Sequence, residues 1–296
     1  MLVSCDSLVQ KMSDAENLEP RRFFKGWAKP GPFAPGGGPD RAPVPDEETL
    51  DAISGDFRIF QLKQGHRFST DDVLTAWYGT SWCPRAEVVL DLGSGVGSVG
   101  MIAAWRLPGS RLVTVEAQAE SVRLAQKSAR YNGLDSRYEI RLGDFREAGI
   151  LRSEERFDLV LGSPPYFPLD AGVLSEHPQK VACRFESRGD IRDYCQAAAR
   201  HLNWGGLFAC VFPDAQRPRF ESATSDSRLT IVRRRPVILK EGEPPLLSLF
   251  AMMRSDHSPS EFRDQTWVEP PLTIRTKEGK VHAEYSAVKL AIGFPP

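Results

Sequence analysis

The stretch FDLVLGSPPYF, Phe157 to Phe167, sets an apolar run against a corner that carries functional groups. Leu159 to Leu161 reads as a buried strand, and Pro164-Pro165 must end it, because neither proline can donate to a sheet ladder. Ser163 puts a hydroxyl on that rigid corner and Tyr166 an aromatic ring. Exocyclic amines of bases and side-chain amides are weak nucleophiles because their lone pair is delocalised. They become competent when acceptors hold their N–H groups and draw the nitrogen toward pyramidal geometry. Ser163 Oγ and the Pro164 carbonyl can be two such acceptors, with Tyr166 stacked on the planar group. Taken alone, the tetrapeptide also reads as a plain strand-terminating turn.

A second constellation lies upstream. VLDLGSGVGSVG, Val89 to Gly100, carries Gly93, Gly95, Gly97 and Gly100, and Gly95 to Gly100 spells GxGxxG between a strand and a helix. Glycines let a backbone turn sharply and approach a ligand without Cβ interference. Glu116, followed by Ala117, ends the next strand, where an acid can accept from both hydroxyls of a ribose. Asp91 lies just before the turn, able to reach a ligand's ammonium or to organise the loop. Asp144-Phe145 ends a third strand, where a carboxylate can read an adenine amino group and a ring can cover the base. A nicotinamide dinucleotide or S-adenosylmethionine would satisfy this arrangement. Asp91 would repel a pyrophosphate, and Ser-Pro-Pro-Tyr has no part in hydride transfer, so the methyl donor is favoured. Methyl transfer from a sulfonium needs positioning and electrostatics rather than a strong early base.

The elements that must hold these groups follow from periodicity. Strands are expected at Phe57 to Leu62, Val88 to Gly93, Arg111 to Ala117, Tyr138 to Asp144, Phe157 to Gly162 and Gly206 to Pro213. Helices are expected at Asp72 to Tyr78 with Thr70 or Asp71 as N-cap, Val99 to Arg106, Glu120 to Tyr131 and Ile191 to Leu202. Leu229 to Leu239 and Leu246 to Arg254 form a closing antiparallel pair. Strands alternating with helices make an α/β fold, a doubly wound Rossmann-like sheet, mostly parallel, with the antiparallel pair at its C-terminal end. All the polar or glycine strand ends then share one edge, the ligand crevice of such sheets.

Residues 1 to 45 read as a weakly ordered leader, Pro/Gly-rich from Lys29 to Pro45, ahead of one domain over 46–296. Arg21, Arg22, Lys25 and Lys29 interleave with Phe23, Phe24 and Trp27, a pattern that can touch RNA or simply be solvated. The apolar fraction of 41% allows a sizeable core, and a net charge of −1 provides no global field toward nucleic acid or acidic lipid. The five cysteines form no CxxC pair and the five histidines have no ligand spacing, so no metal site is expected. That cysteine usage fits a reducing, cytoplasmic compartment. No apolar run approaches a membrane span, and the N-terminus is not a convincing signal peptide.

The order of glycine loop, Glu116, Asp144-Phe145 and SPPY resembles class I methyltransferases with an (Asn/Asp/Ser)-Pro-Pro-(Tyr/Phe) motif, which act on amino or amide nitrogen. With QLKQGHRFSTDDVLTAWY before the glycine loop, RFE (Arg184 to Glu186) after the corner and PLTIRTKEGKVHAEYSAVKL near the end, it is similar to the bacterial tRNA adenine-N6 methyltransferases that modify a base beside the anticodon of a valine tRNA. The resemblance implies donor contacts from Gln64, Arg67, Thr70, Asp71, Asp91, Gly93, Gly95, Gly97, Glu116, Ala117, Asp144, Phe145 and Ser163. It implies acceptor contacts from Tyr166, Phe167, Arg184 and Glu186, with Ser163, Pro164, Pro165 and Tyr166 at the reacting centre. It further implies S-adenosylmethionine as cofactor and tRNA as partner; the sequence does not fix the oligomeric state, and a monomer is favoured. Ser163 departs from the family, which has Asn there; Ser occupies this place in cytosine-N4 methyltransferases. Cytosine N4, glutamine N5 and a non-catalytic donor- or RNA-binding protein therefore stay open as alternatives.

Two further expectations concern charged groups. A flexible loop from Leu169 to Lys180 could close over the acceptor, with Arg184 and Glu186 behind it or merely paired at the surface. Arg217, Arg219 and Arg233 to Arg235 could rim a phosphate site or be solvated.

Overall fold

The computed structural model describes residues 23–37, 43–167, 179, 181, 185–186, 189–262 and 265–295. Its centre is a nine-stranded sheet. Five strands lie parallel at one end of it: β5 (Val88–Leu92), β6 (Arg111–Glu116), β7 (Tyr138–Leu142), β8 (Phe157–Gly162) and β9 (Leu202–Pro213). Their spatial order is β7-β6-β5-β8-β9, so the chain reverses its direction of winding between β5 and β8. β11 (Leu247–Arg254) adds antiparallel to β9, and β10 (Leu229–Lys240) antiparallel to β11, with Leu229 opposite Arg254 and Val237 opposite Leu247. The expected fold class is thus the observed one. β12 (Trp267–Val268) and β13 (Leu272–Arg275) extend the sheet in parallel along β10.

The strands read as apolar runs because both faces are covered. On β8, Leu159 and Leu161 enter one core and Val160 the other. The first core packs under α1 (Thr70–Trp82), α2 (Ser98–Arg106) and α3 (Ala119–Tyr131). The second packs under α4 (Ile191–His201) and α5 (Arg217–Asp226), where Phe220 stacks on Phe250 at 3.9 Å between ring centroids. α5 escaped the sequence reading because RPRFESATSD presents only Phe220 and Ala223 as an apolar pair. A C-terminal helix, α6 (Ala283–Ala291), capped by His282, was missed as well.

α1 begins earlier than expected. Its N-cap is Ser69, not Thr70 or Asp71, and the Asp72 carboxylate returns to accept the Ser69 N–H at 2.9 Å, closing a capping box. β3 (Glu48–Ser54) pairs antiparallel with β4 (Phe57–Leu62) in a separate ribbon that covers α2 and α3. Parts of the expected leader also touch the domain. β1 (Phe23–Phe24) and β2 (Trp27–Ala28) form a small hairpin, and the Ala34 N–H donates to Asp56 at 3.1 Å. Ala34 is buried there, and Lys29 pairs with the same carboxylate at 3.4 Å. Among the described residues, no helix is long and apolar enough to cross a membrane.

Candidate active site

The carboxyl ends of β5, β6, β7 and β8 open on one cleft at the winding reversal. The loop after β5 turns through Gly93, Gly95 and Gly97, all at positive φ, into the N-terminus of α2. At Gly95 the φ of +54° excludes most side chains, and the space where a Cβ would stand is open. Its N–H donates to Glu116 Oε2 at 2.9 Å, and Glu116 Oε1 accepts from Gln118 at 2.7 Å. Glu116 thereby ties the glycine loop to the next strand end while lining the cleft.

Asp91 faces the α1 and α2 side of the sheet. Its Oδ2 accepts the Gly100 N–H at 3.0 Å, and its Oδ1 is buried with no hydrogen-bond partner. Burial, then repulsion from Asp72, pushes its carboxyl well above the usual range. Asp72, on the first turn of α1, is buried beside it; burial raises its carboxyl too, against hydrogen bonds from Ser69, Ser98 and Ser163. Asp72, Asp91 and Glu116 therefore crowd one cleft whose lining, among the described residues, contains no lysine or arginine. A pyrophosphate would meet uncompensated negative charge there. A ligand carrying an ammonium and a sulfonium would relieve the repulsion, and the unpaired Asp91 Oδ1 is an acceptor aimed at such a cation. The donor set fits S-adenosylmethionine.

At the far wall stands the corner after β8. Leu92 and Gly162 are register partners, so Ser163 follows directly beside the glycine loop. Ser163 Oγ lies 3.1 Å from Thr75 Oγ1, and Ser163 and Pro165 line the cleft. Pro164 is buried. Tyr166 is half-buried next to the cleft rather than in its lining, its ring 4.8 Å from that of Phe167 and 6.4 Å from that of Phe212. Its hydroxyl bonds Asp71 and its carbonyl accepts from Gln216 at 3.0 Å.

A family model, methyltransferase small domain, matches residues 80–180, the span that holds the glycine loop and the corner. The chain is 26% identical over 233 residues to a Shewanella protein named tRNA1(Val) (adenine(37)-N6)-methyltransferase, covering 75% of this chain and 90% of that protein. Proteins of the same name from Pasteurella multocida and Dyadobacter fermentans are 28% and 25% identical, over 69% and 76% of this chain and 84% and 90% of their own. The chain is a class I S-adenosylmethionine-dependent methyltransferase. The crystal structure of a predicted O-methyltransferase from Agrobacterium tumefaciens superposes with a TM-score of 0.57 at 18% identity, covering 76% of this chain and 98% of that one, which bears on the fold alone.

Within this methyltransferase, the cleft gathers Asp91, Gly93, Gly95, Glu116, Ala117, Asp144, Phe145, Ser163 and Pro165 from the residues expected by sequence. Gly97 caps α2 behind the loop. Gln64 is exposed, and Arg67 is held away by Asp51 at 2.8 Å and Thr49 at 2.9 Å. Thr70 bonds Tyr285 of α6. The Asp144 carboxylate is clamped by Arg146, at 2.5 Å from its Nη2, and Phe145 sets its edge on Tyr194 at 4.8 Å. Phe167 is exposed, and Glu186 pairs with Arg219 at 2.6 Å. Arg184 lies outside the described residues, as does the 169–180 loop apart from Gln179. That glutamine is buried, accepting from the His66 N–H at 2.8 Å and donating to Ser121 at 2.9 Å.

The arginine rim does not assemble. Arg233 is sandwiched between Trp82 and Trp267, Arg234 pairs with Asp214 at 3.0 Å, and Arg217 pairs with Glu221 at 3.5 Å. Arg217 is drawn to a partner on its own helix, Arg233 to one ring on α1 and one on β12, and Arg234 to a carboxylate in the turn after β9. Sequence reasoning missed His66, Asp72 and Tyr194 as cleft residues. Asp72 was legible as the fourth residue of the Ser69-x-x-Asp72 capping pattern. Tyr194 was legible as a hydroxyl-bearing residue on the apolar face of α4, with Ile191, Cys195 and Ala198.

Proposed function

We propose that this methyltransferase transfers a methyl group to an exocyclic amino nitrogen, adenine N6 of a tRNA base beside the anticodon. The observation that carries the reading is that Ser163 and Pro165 wall the same cleft as the carboxylates suited to the donor. The names of the relatives support adenine in tRNA as the acceptor. When bound, the donor supplies an electrophilic methyl group on a sulfonium. Ser163 Oγ and the Pro164 carbonyl accept the two amino N–H groups, which localises the nitrogen lone pair. Tyr166 and the exposed Phe167 offer ring faces to an unstacked base, and loop bases in RNA are splayed at low cost. A tRNA substrate makes the cytoplasm the place of action. Residues 46–296 form the catalytic unit, and a monomer suffices for it.

The test is mass spectrometry of nucleosides from total tRNA incubated with the protein and methyl-labelled donor. Label in N6-methyladenosine is expected. Label confined to N4-methylcytidine, or to a glutamine peptide offered in parallel, would replace adenine as the acceptor.

A further inference from the structure

The chain between the corner after β8 and α4 sends one polar side chain into the body of the protein. Gln179 is buried, and both ends of its amide are bonded. Its oxygen accepts the His66 N–H at 2.8 Å, and its nitrogen donates to Ser121 Oγ at 2.9 Å. His66 belongs to the loop from β4 to α1, and Ser121 to the first turn of α3. His66 lines the cleft from the one segment; Ala117 and Gln118, which lead into α3, line it from the other. One amide therefore joins two walls of the cleft that lie far apart in the sequence. Its seat is shaped for it. A Cβ on Gly65 would stand 2.1 Å from Gln179 Oε1 and 2.9 Å from Leu62 Cβ. Gly65 does not adopt a left-handed backbone, so its missing side chain serves this close approach alone. The ends of the loop are held locally, the Lys63 N–H on the Glu47 carbonyl at 2.8 Å and the Phe68 N–H on Gln61 Oε1 at 2.7 Å. Between those anchors, His66 is fastened by Gln179. An apolar side chain would fill the space without desolvating an amide; the amide adds direction.

We propose that Gln179 is a positioning residue of the donor site, pinning the His66 loop to the start of α3 so that this wall of the cleft is ordered before the methyl donor arrives. The inference rests on the cleft being the donor's and is independent of which acceptor is methylated. A wall already in place need not be ordered at the moment of binding, and the loop's conformational entropy is then not lost on association. Without the pin, the middle of the loop is ordered only as the donor enters, and affinity falls. Gln179 has no part in the transfer step, so the bound donor reacts as before.

Three variants test it. Gln179→Met keeps the bulk and removes both bonds, Ser121→Ala removes one, and Gly65→Ala leaves Gln179 in the chain but pushes its amide from the seat. Calorimetry with S-adenosylmethionine and with S-adenosylhomocysteine reads donor affinity. Hydrogen exchange of the donor-free protein reads the loop over 63–68, and turnover on total tRNA separates KM from kcat. Gln179→Met should weaken both nucleosides about 5- to 30-fold, the effect of one to two net hydrogen bonds. Gly65→Ala should weaken them in the same range, and Ser121→Ala less. Amides of the loop should exchange faster in all three, and the kinetic loss should fall on the donor KM rather than on kcat. The losses of Gln179→Met and Ser121→Ala should not multiply, because both remove the same bond. A side chain that serves only the fold gives a different result, a lower melting temperature with wild-type donor affinity. That result would overturn the proposal, as would wild-type exchange of the loop in Gln179→Met. A wild type that binds donor but leaves tRNA unlabelled removes the acceptor reading alone, and calorimetry and exchange still decide the role of Gln179.

Discussion

Asp71, the second residue of α1, is expected to weaken the folded protein at neutral pH. Burial and the adjacent Asp72 push its carboxyl from 3.8 up to about 6, against a hydrogen bond from Tyr166 that holds it down. The folded chain therefore keeps this proton to higher pH than the unfolded chain does. Its contribution is favourable below pH 3.8 and is lost as pH rises through 6. At about 1.4 kcal/mol per pH unit, the gap corresponds to about 3 kcal/mol of stability missing at pH 8 and about half that at pH 5. Asp71→Asn removes the charge and keeps an acceptor for Tyr166. Urea unfolding at the two pH values should find the variant more stable by about 3 kcal/mol at pH 8 and about 1.6 kcal/mol at pH 5. Equal stability of the two proteins at pH 8, or a gain that does not shrink at pH 5, would refute the buried, repelled carboxylate. A protein retains such a penalty where the position serves a site rather than the fold.

Glu116→Ala removes the acceptor for both the Gly95 and Gln118 N–H groups, and calorimetry should find donor affinity lowered about 10- to 100-fold with secondary structure intact by circular dichroism. Gly100→Ala would set a Cβ 2.0 Å from the buried Tyr138 hydroxyl and 3.2 Å from Asp91; chemical unfolding should record a loss of about 1–3 kcal/mol. Arg233→Ala empties the space between Trp82, at 3.5 Å, and Trp267, at 4.3 Å, and should cost about 1–2 kcal/mol without altering donor affinity, since none of the three lines the cleft.

What the sequence made legible was whatever rests on local pattern. β5 and β8 are apolar runs closed by glycine or proline, and β6 is one closed by Glu116, so their ends, and the groups on them, could be numbered before any coordinates. The antiparallel pair β10 and β11 was legible for the same reason. The loop Gln64 to Asp71 was not. Its neighbourhood to the cleft was expected, but which side chains enter depends on the β3–β4 ribbon, where Asp51 captures Arg67 and leaves His66 and Asp72 facing inward. The arginines of β10 looked like a cationic rim because sequence carries no record of Trp82, Asp214 and Glu269 across the fold.

The meeting of donor loop and acceptor corner is a consequence of strand register. β5 and β8 are adjacent at the winding reversal, with Asp91 opposite Leu161 and Leu92 opposite Gly162. The two chains then leave the sheet at the same level, one as Gly93 and one as Ser163. Side chains alternate along a strand, so Asp91 projects toward α1 and α2 while Leu92 enters the second core. That alternation carries Asp91 to Asp72, and the capping geometry of Ser69 carries Asp72 to Ser163. A slip of one pair between β5 and β8 would move the corner by about 3.3 Å and take Ser163 Oγ out of reach of Thr75. The apolar faces that lock this register are thus what keep the nucleophile's acceptors beside the donor's carboxylates, and the chemistry of the corner is inherited from the packing of Leu159, Val160 and Leu161 beneath it.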